Sequence, residues 1–480
     1  MMLKSAVSPP PFIKSAYGPA PRTLRAAGLP NFASVAVRDL FPDIVPAIYR
    51  EEVDLPAIRR ATERALAGVD MSMIRPGDTV NVASCEHGFS IMGGRPYAEM
   101  LKTIRDVVRE RTGCEKIRLR VGSWQGYREA AEGIAQLGLE AHYGKGRATG
   151  FGPTDKGVPI ETAVGTFYGI QRVYDATWFI HAYYDDAREI YLHRYTFRPF
   201  KAFMMAYARQ ETRGLLHMYP NRSGNFLHKA VFESPFVQQR YAFTCLLRSS
   251  PDGITGIEAD RDLYAINRHI VRDHLRDYGK MLKLFESIDE CVPIIDGGRW
   301  LFYIPAGGLT FCELLYGTRD NLDLTNPYTT AAWDIRDPDI MALANPAIRA
   351  LVINQMWRGI PCAAITWRYP TVLVGQDLTD MFDQDASSPG LVSAVVTMET
   401  LEKAVDWAKQ TAGTDRLIAF DGSFGYINCS PSMGEFLIRQ APEAIRKVEA
   451  ELPKWLKQRG LRSEPSPAAL PPMRQEAIVA

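Results

Sequence analysis

The stretch from residue 79 to residue 137 constrains this 480-residue chain most, because its apolar pattern switches repeatedly between period 2 and period 3.6. Residues 79–83 and 116–121 read as strands, while residues 96–112 and 127–137 read as helices. That alternation predicts an α/β fold: a doubly wound, mostly parallel sheet covered by helices. Ligands of such sheets gather beyond the carboxyl ends of the strands. Those ends carry Ser84-Cys-Glu-His-Gly88 and Gly122-Ser-Trp-Gln-Gly126. The glycines at 88, 93, 94, 122 and 126 either let backbone amides approach an anion or serve the strand-to-helix turns themselves. No GxGxxG or P-loop pattern is present. His87 is a candidate acid/base group in the first turn, and a hydrogen-bonded surface histidine is the plainer reading.

A third strand end belongs to the same cleft. Residues 175–184 are apolar and aromatic, and the polar group Asp185, Asp186, Arg188, Glu189, His193 and Arg194 follows. Pro199 then sits where a helix begins, and Phe200, Phe203, Met204, Tyr207 and Ala208 recur at helical spacing, with Gly214 as the expected stop. Lys201 lies in the first turn among aromatic side chains, and His217 follows 16 residues later. A lysine there either snorkels to water or is desolvated toward a nucleophilic amine. Arg188, with Arg194 and Arg198, is placed to hold a carboxylate, or to pair with the neighbouring acids.

With 46% apolar residues the chain can bury at least two cores. Balanced charge, 56 Lys and Arg against 55 Asp and Glu, disfavours nucleic-acid binding. No apolar run reaches the roughly 18 to 20 residues that span a bilayer, and no signal-peptide core opens the chain, so a cytoplasmic, non-membrane protein is expected. Seven scattered cysteines without a CxxC pair read as reduced, mostly buried thiols and not as a zinc site.

The expected organisation is an N-terminal extension over residues 1–50, a first α/β domain over 51–289, a mixed α/β domain over 290–462, and a disordered tail over 463–480. The Pro- and Ser-rich first 30 residues are expected to wrap the surface or stay mobile, residues 144–165 to hold a hairpin, and residues 219–228 to form a loop or linker. Residues 260–288 read as a helix with a charged face that is solvated or interdomain. An interdomain cleft is the expected ligand site.

The order of the early helix ending Glu63-Arg-Ala-Leu-Ala67, the strand ending at Ser84, the Val121-Gly-Ser turn and the Lys201 to His217 spacing resembles the N-terminal domain of the lactate racemase family over about residues 56–217. That family uses a nickel-pincer nucleotide. The resemblance implies that Lys201 tethers the cofactor, that His217 ligates nickel, and that Gly122, Ser123 and the residue after them line the cofactor. Where the family carries one of two opposed proton-transfer histidines, this chain has Trp124, which stacks on a ring or fills the cleft. His193 stands for the second family histidine, His87 is a substitute for the lost one, and Arg188 holds the substrate carboxylate. The implied activity is isomerisation of a small 2-hydroxy acid, by a racemase or epimerase. A dehydrogenating or lyase-like enzyme on the same fold and a non-catalytic binding protein are the alternatives, and homo-oligomerisation is left open.

Overall fold

A computed structural model describes residues 3–11, 13, 21–50, 54–123, 127–185, 197–218, 221–297, 322–325, 345–355, 369–384, 393 and 395–462. Two short strands, β1 (Lys4–Ser5) and β2 (Ala33–Ala36), come first, followed by helix α1 (Leu55–Ala67). Pro56 starts α1, and Ile58, Ala61, Thr62 and Leu66 form its buried stripe. Then come β3 (Thr79–Cys85), α2 (Arg95–Thr112), β4 (Lys116–Gly122), α3 (Tyr127–Gln136), α4 (Leu139–Tyr143) and β5 (Ala148–Phe151). A separate hairpin, β6 (Gly157–Thr162) with β7 (Gly165–Ile170), meets the expectation for that region. The first body closes with β8 (Trp178–Tyr184), α5 (Gln210–Met218), α6 (Asn221–Phe232), β9 (Tyr241–Ser250) and β10 (Gly253–Asp260).

These strands lie in the order β10-β9-β8-β3-β4-β5. All neighbours are parallel except β9 and β10. The chain therefore starts in mid-sheet at β3, works outward through β4 and β5, and returns to β8 on the other side. The crevice between β3 and β8 is the point where the winding reverses, and it is the preferred ligand position of such a sheet.

The second body contains β11 (Val292–Asp296), β12 (Leu351–Gln355), β13 (Thr371–Val374), α8 (Gln376–Asp383), β14 (Val396–Met398), α9 (Leu401–Ala412), β15 (Leu417–Phe420), β16 (Tyr426–Cys429) and α10 (Pro431–Gln458), preceded by α7 (Leu263–Glu286). Its sheet runs β1-β2-β16-β15-β11-β12-β13-β14. The five strands β15, β11, β12, β13 and β14 are parallel, and winding reverses between β11 and β15. The α/β expectation is met in both bodies.

The first 50 residues do more than extend the chain. β2 pairs with β16, and Val35, Val37, Leu40, Phe41 and Ile44 are buried in the second core. Arg25 lies across the second sheet's carboxyl edge, with Nε 2.9 Å from Asp296 Oδ1 and Nη2 3.2 Å from the Asp421 carbonyl. Ala26 N donates to Asp296 Oδ2 at 2.7 Å. Arg22 donates to the Asn354 carbonyl at 3.0 Å and pairs with Asp377 at 2.8 Å. Burial pushes the Asp296 carboxyl up to about 6, against the pull of Arg25.

The expected boundary at 290 follows α7, yet α7 serves both cores: Leu263, Ile266 and Ile270 enter the first, and Val271, Leu275, Tyr278 and Phe285 enter the second. Two local expectations are corrected. The segment after Pro199 is a 3-10 turn, Arg198–Phe203, and Gly214 lies inside α5 instead of ending a helix, so His217 is helical too. Phe200 and Phe203 are spaced i,i+3, which a 3-10 turn satisfies as well as an α-helix does. The supposed loop at 219–228 is largely the helix α6, whose apolar residues Leu227 and Val231 pack into the first core.

Candidate functional site

Because β3, β4 and β8 run parallel, Cys85, Gly122 and Tyr184 finish at one edge, which places residues 84–88, 122–123 and 185 together as expected. Trp124, Arg188 and His193 lie outside the described residues. The side chain of His217 is likewise outside them.

At the end of β3, Cys85 Sγ is 3.1 Å from His87 Nδ1, and both residues are buried. His87 Nε2 stands 3.8 Å from a carboxylate oxygen of Glu86, itself fully buried. A thiol and an imidazole at this separation can exchange a proton, so the pair is chemically competent as an acid/base unit. Arg213 on α5 lies close enough for its positive charge to be attracted by Glu86. Burial pulls that guanidinium down to about 10, and attraction to Glu86 and Cys85 opposes the shift. Arg213 donates to the carbonyls of Ala208 at 2.8 Å and Ser123 at 3.1 Å, which fixes α5 against the end of β4.

Tyr97 bridges the ends of β3 and β8. Its hydroxyl donates to the Ala182 carbonyl at 2.7 Å, and its ring meets Tyr184 edge-on at 6.2 Å. The ring also fills the space a side chain would need at Gly88, where a Cβ would come within 2.3 Å of it. Gly88 is thus required by packing, not by an anion. Gly122 is similar: a Cβ there would lie 2.5 Å from the Ala206 carbonyl. Ser123 directs its hydroxyl to the Phe151 carbonyl at 3.1 Å.

Asp185, the first residue past β8, organises a second buried unit. Its carboxylate accepts from Ser249 N and Ser249 Oγ, both at 2.7 Å, and from His274 Nε2 at 3.0 Å. Arg248 Nε is 3.5 Å away. Since an ionised carboxylate only accepts, Nε2 of His274 carries the hydrogen. Nδ1 of the same ring is buried without a hydrogen-bond partner among the described residues, so in the neutral ring it is a lone pair held in place by Asp185. Ser249 Oγ extends the chain to the Tyr278 hydroxyl at 2.9 Å.

Lys201 sits in the 3-10 turn, 7% exposed and already engaged with a neighbour. Phe200 and Phe203 on either side are core residues, against Phe232 at 5.0 and 5.1 Å. His181 beneath the turn is structural. Its Nε2 is 3.1 Å from the Pro199 carbonyl and its Nδ1 2.7 Å from the Tyr207 hydroxyl, and burial drops its pKa to about 3. No cluster of three or more His, Cys, Asp and Glu side chains suited to a metal ion occurs among the described residues.

Sequence reasoning named His87 but passed over Cys85, Arg213 and the Asp185–His274 pair. A signal for His274 existed. Ile270, Val271, His274, Tyr278, Met281 and Phe285 repeat at i, i+3, i+4 along α7, and all are buried, so the histidine belongs to the apolar stripe. Five cysteines among the described residues are free and buried, as the sequence implies, while Cys312 and Cys362 lie outside them. No described helix is long and apolar enough to cross a membrane. Neither a known family model nor a curated protein matches the chain.

Proposed function

We propose that the protein is an isomerase-type enzyme, a racemase or epimerase of a small 2-hydroxy acid in the cytoplasm, working by proton transfer at the carboxyl edge of the first sheet. The observation that carries this reading is the pair of histidine units at the ends of neighbouring central strands: His87 with Cys85 at the end of β3, and His274 of α7 hydrogen-bonded to Asp185 past β8. Inverting a stereocentre needs one group to take the proton from C2 and another to return it on the opposite face. In the proposed step one imidazole accepts the C2 proton, the electron pair moves into the carboxylate, and the other imidazole returns a proton to C2. Substrate and product have the same composition. These two residues take the roles that the family resemblance gives to His193 and to the position of Trp124. Arg213 supplies positive potential beside the developing dianion.

The nickel-pincer nucleotide implied by the resemblance finds no cradle among the described residues. Lys201 is buried and engaged, and the room at Gly122 is taken by the Ala206 carbonyl. No step is therefore routed through that group, and it enters as one arm of the experiment. Full-length protein, made with and without the cofactor's biosynthetic proteins, is incubated in deuterium oxide with both enantiomers of several small 2-hydroxy acids. Deuterium entering C2 is followed by NMR, and adduct mass and nickel content are measured alongside. Exchange is expected with at least one acid, falling at least about 100-fold in His87→Asn and His274→Asn. Exchange that needs the adduct and vanishes in Lys201→Ala would replace this two-base scheme with the cofactor-dependent one.

The aromatic packing around Lys201 favours a second reading, a binding protein without turnover. Saturable binding of a 2-hydroxy acid with no exchange in either preparation would select it.

A further inference from the structure

The loop that starts at His87 ends in a second place of interest. Residues 86–94 leave β3 as two short turns joined by a kink, with Met92 at φ 48° and Gly93 at φ 68°. A methionine in the left-handed region is strained, and it holds its side chain toward the seam between the two bodies. There Met92 forms one wall of a cavity of about 310 Å³. Its lining also includes Ser423 and Phe424 in the turn that leaves β15 at the second sheet's carboxyl edge, Tyr426 at the start of β16, residues 7–11 and Arg50. Carboxyl-edge loops from both sheets thus meet in one chamber, at the kind of domain seam where small-molecule sites concentrate.

The lid is fixed at both ends. Val7 N donates to Asn428 Oδ1 at 2.9 Å, and Asn428 Nδ2 returns a bond to the Val7 carbonyl at 2.8 Å. The Pro11 carbonyl packs so closely on Gly93 that a Cβ there would lie 2.7 Å from it. Between these anchors run Pro9, Pro10 and Pro11, which have no N–H to offer and a stiff extended backbone. The roof is therefore preformed and apolar.

Arg50 is the charged group of this chamber, and Ser423 lines it with its Oγ turned out of solvent contact. Arg50 makes one ion pair, Nη1 to Asp252 Oδ1 at 3.3 Å, and its side chain remains 33% exposed. A guanidinium carries five N–H donors, so most of Arg50 is left to face the cavity or solvent.

We propose that this chamber is a binding site for a small organic carboxylate with a flat, apolar body. The carboxylate pairs with Arg50, and the body packs among Met92, Phe424, Tyr426 and the proline segment. The site stands independently of the isomerase reading, although its occupant would lean on the same loop that carries His87.

The probe is 4-fluorobenzoate, with neutral 4-fluorobenzyl alcohol as its matched control, followed by fluorine NMR on the full chain. Saturable broadening of the carboxylate signal is expected, with affinity for the alcohol at least about tenfold weaker. Arg50→Gln should weaken carboxylate binding about tenfold or more. Because that change also leaves Asp252 with one partner fewer, Ser423→Leu serves as the second variant: it fills the chamber, leaves the ion pair intact, and should likewise abolish binding. Thermal melting reports that each variant is folded. Equal binding of acid and alcohol, no saturable binding to wild type, or undiminished binding in folded Ser423→Leu would each overturn the proposal.

Discussion

The carboxyl edges of the two sheets share a winding plan and differ in what stands on them. At the first edge, between β3 and β8, the polar groups come from the strands and from α5 and α7, and they are titratable: Cys85, His87, Asp185 and His274. At the second, the crevice between β11 and β15 is closed by the chain's own Arg25, and Arg22 covers the neighbouring ends of β12 and β13; both guanidinium groups are tied to carbonyls and carboxylates. The same topology offers a ligand crevice twice, and side-chain chemistry decides what each one holds. An edge held together by fixed cations reads as architecture. One carrying paired proton carriers reads as chemistry.

The largest expected effect tests whether the first edge is as tightly knit as its contacts imply. Asp185→Ala should cost about 3–5 kcal/mol in urea unfolding, because Arg248, His274 and two Ser249 donors lose their common buried acceptor. A loss below about 1 kcal/mol would mean that the network is dispensable.

The pH responses of the two edges should run in opposite directions. His181, held at about 3 in the fold against 6.5 unfolded, binds its proton more readily in the unfolded chain. Its contribution is complete above 6.5 and is lost as pH falls toward 3, on the order of 5 kcal/mol. Asp296, raised to about 6 from 3.8, binds its proton more readily in the fold. Its contribution is present below 3.8 and is lost as pH rises through 6, on the order of 3 kcal/mol. Hydrogen exchange resolved by strand is the measurement. Between pH 4 and 6 protection should rise with pH in β3 and β8 and fall with pH in β11 and β15, and parallel behaviour would erase the contrast. His181→Asn and Asp296→Asn should each flatten their own slope.

Two glycine substitutions give smaller effects of opposite sign. Gly122→Ala should destabilise by about 1–3 kcal/mol, since the new methyl meets the Ala206 backbone. In Gly214→Ala the methyl meets open space on a helix, and stability should rise by about 0.5–1 kcal/mol in thermal melts. A loss at Gly214 would contradict the helix that runs through it.

Much of the first sheet was legible because its code is local. Each strand from β3 to β4 and each covering helix carries its own period, and the parallel strand ends follow from the alternation. What could not be read depended on distant partners. β2 is four residues long and joins the rest of the second sheet through β16, some 390 positions later. The Arg198–Phe203 turn has helical spacing, and its aromatic residues are pinned by Phe232 and Tyr264 from elsewhere in the chain. His87 stood out because it follows a strand end. His274 did not, because the surrounding charges Arg268, Arg272 and Arg276 disguise an apolar stripe.

The pairing of β2 with β16 also sets an order of events during synthesis. Residues 79–260 hold every strand of the first sheet, so that sheet can close while later residues are still on the ribosome. Residues 33–36 are made some 390 positions before β16, the strand that joins them to the rest of the second sheet. Until β16 is made, β2 has the two-residue β1 at its side, and Arg22 and Arg25 lack the partners they hold across that sheet. Protease added to stalled chains should cut between residues 21 and 50 until the stall point has passed residue 429 by the length of the exit tunnel, and not afterwards. Early protection would show that the N-terminus finds another partner first.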